Sequence, residues 1–131
     1  DEVFVVRRVR RADGEPAVIE RMAFMPSLAE FIENVDTSEQ SIHRELIRAG
    51  ADFNNISRAF TIEQADADTA SKLGIAENAP VLRVKIKALT HNGDVLEVAE
   101  HIFRVDNLSF GLNNVRGHSS PIWFQTESEI H

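Results

Sequence analysis

Arg8 and Arg10 stand two residues apart, and Glu20 follows them across a polar stretch, Asp13-Gly14-Glu15-Pro16. Residues two apart on a strand share a face, so a turn at that stretch would bring Glu20 back beside the arginines. Two forked guanidinium groups on one face can grip a carboxylate or phosphate, and the glutamate could orient one of them or accept from ligand hydroxyls. The same three residues could also form a plain cross-strand ion pair. A second set lies further on. Glu97 and His101 alternate with Ala99 and Phe103, so both point toward an apolar layer. That is costly unless the groups are paired, hydrated or ligand-bound. They are binding candidates, or else a rim glutamate and a satisfied core histidine. Ser41 and His43, near the start of a helix, could add donors for an anion, or simply cover that helix end.

For catalysis the chain offers little. G-x-S-x-G, P-loop, G-x-G-x-x-G and H-E-x-x-H patterns are absent, and the five histidines show no ligand spacing. Without cysteine there is no thiol nucleophile, disulfide framework or thiolate metal site. No catalytic residue, cofactor or metal is assigned.

The elements that would position these side chains are set by periodicity. Val3 to Val9 and Ala17 to Met25 read as a hairpin that Pro26 ends. A three-residue turn would set Val18 opposite Arg10 and Glu20 opposite Arg8. Arg7 and Arg11 then fall on the other face, which splits the basic cluster and weakens it as a nucleic-acid patch. Ser27-Leu28-Ala29-Glu30 has the form of a capping box ahead of Phe31, Ile32 and Val35. Thr37 with Gln40 opens a second helix carrying Ile42, Leu46 and Ala49, and Gly50 stops it.

Ile56, Arg58, Phe60 and Ile62 alternate as a strand, and Asp66 to Leu73 is a helix with Gly74 beyond it. Val81 to Thr90 and Val95 to Arg104 flank Asn92-Gly93, where a two-residue turn would pair Lys85 with Glu100, Ala88 with Glu97 and Val84 with His101. The predicted order is ββααβαββ, an α+β antiparallel sheet with helices packed on it. Residues from Gly111 onward read as a tail or edge strand.

With 131 residues, 43% of them apolar, the chain can bury a core without staples. Its net charge of −7 argues against a phosphate-binding surface overall. No apolar run is long enough to span a membrane and no signal peptide opens the chain, so a cytoplasmic protein is expected.

Several of these residues also share an order. Arg8-x-Arg10-x-x-Asp13-Gly14-Glu15-Pro16, Glu20, Pro26, Ser41-Ile42-His43, Leu73-Gly74-Ile75, Pro80-Val81-Leu82, Asn92-Gly93, Glu97 and Arg104-x-Asp106 leading to Phe110 together resemble the UTRA domain. UTRA is the effector-binding half of HutC-like members of the GntR family of bacterial transcription regulators. The resemblance implies a chorismate-lyase-like fold over residues 1–110 and a homodimer. It also implies an N-terminal winged-helix DNA-binding domain that these residues do not include. It implies further that Arg8, Arg10, Glu20, Ser41, His43 and Glu97 line an effector pocket, which His101 joins on the alternation argument, and that Arg104 and Asp106 are a structural motif. His43 departs from the tyrosine common in the family. A helical segment that usually precedes the first strand is also absent, which suggests a trimmed domain.

Two function classes compete. In the first, a small anionic metabolite binds and alters DNA binding by the winged-helix domain. The alternative is a chorismate-lyase-like enzyme acting on a small carboxylate, with Glu97 or Glu20 as general acid. A bare dimerisation module is a third reading.

Overall fold

Period-two alternation dictates most of this architecture. A computed structural model of the protein describes residues 3–33 and 42–106, together with strand backbone at 108–111, 114–115, 118–119 and 123–126. Phe4–Ala12 (β1), Glu15–Phe24 (β2), Asn55–Gln64 (β3), Pro80–Leu89 (β4) and Val95–Arg104 (β5) build one antiparallel sheet in the order β1-β2-β5-β4-β3. The helices are Ala29–Ile32 (α1), Ile42–Arg48 (α2) and Ala67–Leu73 (α3). The α+β class and the order ββααβαββ are as the sequence predicts. Leu108–Gly111 (β6) pairs with Trp123–Thr126 (β9), and Asn114–Val115 (β7) with His118–Ser119 (β8), separately from the five-stranded sheet.

The two sheet faces are covered unequally. On the inner face Met22, Phe24, Val84 and Ile86 pack with Leu28, Ile42 and Leu46 from the helical segment in the main core. On the outer face α3 lays Ala70 and Leu73 against Val81 and Ile102, with Ile19 alongside. The signals at the ends of α3 work as read. Asp66 accepts a bond from the Thr69 N–H at 2.8 Å, and Gly74 closes the helix at φ +67. Gly74→Ala therefore places a Cβ in the left-handed region and is expected to cost about 1 kcal/mol in chemical denaturation, with an unchanged m-value.

Both predicted hairpin registers are present, but through different turns. Ala12 pairs with Glu15 across Asp13 and Gly14, at φ +53 and +81, so the first turn has two residues and not three. A bulge then restores the expected register, because Arg11 faces Pro16 while Arg10 faces Val18. Proline cannot donate to the ladder, which makes Pro16 a natural place for the irregularity. The second turn is the reverse case. The Thr90 N–H bonds to Asp94 O at 2.8 Å, leaving three residues in the loop, and a shift between Ala88 and Leu89 compensates.

The capping box is also replaced. Pro26 starts a 3-10 turn over Pro26–Leu28 and neither that turn nor α1 has a side-chain cap, so Ser27 lies inside the turn and not at its cap. Ala49 is exposed beyond the end of α2. Val35 and the Thr37–Gln40 helix opening lie outside the described residues.

Candidate functional site

The pairing of β2 with β5 assembles the site. The first hairpin carries Arg8 and Glu20 and the second Glu97 and His101, and their alignment sets Glu20 opposite His101 and Phe24 opposite Glu97. Arg8, Glu20, His101 and Val84 then form one row across the inner face. Glu97 lies two positions along β5 from Ala99 and faces Ala88. From above, α2 brings in His43.

The contacts are those of a buried charge cluster. Arg8 donates from Nε to Glu20 Oε1 at 2.5 Å, with side chains only 12% and 8% exposed. Glu20 Oε2 lies 3.5 Å from His101 Nε2 without forming a hydrogen bond. His43 Nε2 meets Glu97 Oε1. Glu97 is fully buried, and its second oxygen, Oε2, finds no hydrogen-bond partner among the described residues, as is true of His101 Nε2. Buried polar atoms of this kind are rare and costly, and they commonly await water or a ligand.

Burial acts on the titration of two members. The His101 pKa is pushed below its ordinary value because desolvation disfavours imidazolium, outweighing the attraction of Glu20 and Glu97. The folded protein thus holds His101 neutral where the unfolded chain would protonate it. Stability from this group is complete above about pH 6.5 and is lost as pH falls through that value toward the lower folded pKa. Urea unfolding at pH 7.5 and 5.5 should show a smaller acid-induced loss in His101→Gln than in the parent. Arg58 is likewise lowered, by desolvation first, while the attraction of Glu97 opposes it.

The family model for the UTRA domain matches residues 1–109. The chain belongs to the UTRA family. Its fold resembles the effector domain of PhnF from Mycobacterium smegmatis, with a TM-score of 0.70 at 18% identity over 79% of this chain and 64% of that one. A GntR-family transcriptional regulator from Enterococcus faecalis V583 aligns at TM-score 0.65 and 23% identity, over 77% and 73% of the two chains. YydK from Bacillus subtilis, described as a possible transcriptional regulator, aligns at 0.66 and 17% over 78% of this chain. The alignment spans 46% of the YydK chain. No curated protein matches the sequence. The UTRA domain thus shares the fold of a domain described as the ligand-binding domain of a GntR-family regulator from Bordetella bronchiseptica, and among the described residues no helix is long and apolar enough to cross a membrane.

The remaining site residues of this UTRA domain fall in three places. Arg10 is exposed at the row beyond Arg8, opposite Val18. Ser41 lies outside the described residues. Arg104 and Asp106 form a forked pair, Nε to Oδ1 at 3.1 Å and Nη2 to Oδ2 at 2.6 Å. Arg104 also donates to Pro16 O at 3.4 Å, which ties the end of β5 to the first hairpin.

One further residue joins the cluster without a site assignment from its sequence position. Arg58, half-buried on β3, faces Ile86 in the row between Glu97 and His101. Its signal was present, since it alternates in step with Ile56, Phe60 and Ile62. Only the order of the strands brings this edge position within electrostatic reach of Glu97.

Proposed function

We propose that residues 1–110 form the effector-binding domain of a HutC-like regulator. A small anionic metabolite would bind between the inner face of the sheet and α2. Arg8 and Arg10, with Ser41, take its anionic group. Glu97 accepts a hydroxyl or N–H from it, while Glu20, His43 and His101 orient these contacts. The domain acts as a cytoplasmic homodimer, and closure on the ligand alters DNA binding by an attached winged-helix domain. A coupling of about 1 to 3 kcal/mol changes operator affinity about 5- to 150-fold, with no chemistry required.

The observation that carries this reading is the Glu97 carboxylate, buried beside His43 and near Arg58 with one oxygen unpartnered among the described residues. A thermal-shift screen of sugar phosphates, carboxylates and imidazole compounds tests it. A hit is expected to raise Tm in the parent and to lose that effect in Arg8→Ala. Failure of every class to shift Tm would favour a bare dimerisation module. Release of 4-hydroxybenzoate and pyruvate from chorismate would favour the enzyme.

A further inference from the structure

We propose that the open end of the outer face is a second ligand site, distinct from the inner cluster, for an amphipathic organic anion with an apolar body and a carboxylate head. The α3 helix covers only the end of this face built by Ile19, Val81 and Ile102. The other end is a groove of about 640 Å³, within the usual range for small-molecule sites. Its floor is apolar. Val5, Ala23 and Val98 align across β1, β2 and β5, and Val5 and Val98 remain 44% and 50% exposed. Small side chains at Ala23, Ser57 and Ala59 leave the sheet close to the surface along the groove.

The rim gives the charge of the occupant. Arg7 sits directly opposite Arg21 in the ladder, a like-charge pairing that destabilises a sheet unless something neutralises it. Lys85 and Lys87 follow on β4, before Ser57 and Ala59 on the edge strand. Glu100, in line with Arg21 and Lys85, already has Arg83 Nη1 at 2.8 Å. Among the described residues Arg7, Arg21 and Lys87 form no ion pair. A cationic rim around an apolar floor, on a chain of net charge −7, suits an anion whose body is apolar. The paired arginines hold the head by forked donors, and the body lies along the valine row.

Displacement of 8-anilinonaphthalene-1-sulfonate by decanoate, below its micellar concentration, tests the site, with neutral decanol as the control. Decanoate is expected to displace the dye at least tenfold more tightly than decanol. Arg7→Ala with Arg21→Ala should weaken decanoate at least tenfold, and Val98→Glu should abolish its binding. Arg48→Ala, which removes a surface cation from α2, should leave it unchanged. All these positions are exposed, and matching melting curves confirm that the variants fold. Equal displacement by decanoate and decanol overturns the proposal, as does insensitivity to the double arginine variant or an equal loss in Arg48→Ala. So does a dimer in sedimentation that Val98→Glu dissociates while decanoate fails to bind, because a second copy would then cover the face.

Discussion

Arg8→Ala is expected to lower unfolding free energy by about 3 kcal/mol, because it strands Glu20 without its cation in a nearly closed site. Removing both partners costs much less. In a double-mutant cycle, Arg8→Met combined with Glu20→Leu should recover most of the stability that Arg8→Ala loses, since no uncompensated charge remains. The same cycle separates structure from recognition. If Arg8 holds the effector's anionic group, the apolar double variant regains its urea midpoint while its affinity for the screening hit stays lost. Recovery of both would mean that the pair is structural, and that the anion binds elsewhere.

Glu97→Met should behave in the opposite way. The fully buried carboxylate carries an oxygen with no partner among the described residues, so an unbranched apolar chain of similar path removes a desolvation cost while filling the same space. His43 loses its contact and Arg58 the attraction of the carboxylate, but His43 is 21% exposed, Arg58 is only half-buried, and both can turn to water. Stability is therefore expected to hold or rise. Affinity for the effector should fall about 10- to 100-fold, the amount set by one hydrogen bond to a charged group. Isothermal titration and urea unfolding on the same protein read both quantities. A large loss of stability with unchanged affinity would make Glu97 a structural partner of His43 and nothing more.

Much of the site was legible in the sequence because strand alternation is a local property. Arg8 opposite Glu20 and Val84 opposite His101 follow from counting back from a turn, and both pairs are present. The turns themselves differ from the expectation, with two residues in place of three in the first hairpin and three in place of two in the second. Each difference is cancelled by a bulge, because a slip of one residue would have turned every apolar side chain to solvent. Burial of the inner face therefore constrained the register more firmly than the turn chemistry did.

What the sequence determined by itself was which side chains share a face within each hairpin, the α+β order of elements, and the sign of the charge available on each face. The tertiary structure decided which faces meet. Placing β2 against β5 joined Glu20 to His101, bringing in α2 set His43 on Glu97 across 54 residues of chain, and the edge position of β3 brought Arg58 to the same cluster. These are contacts between elements, fixed by how apolar surfaces are buried together over long sequence separations. No periodicity within a single segment carries that information.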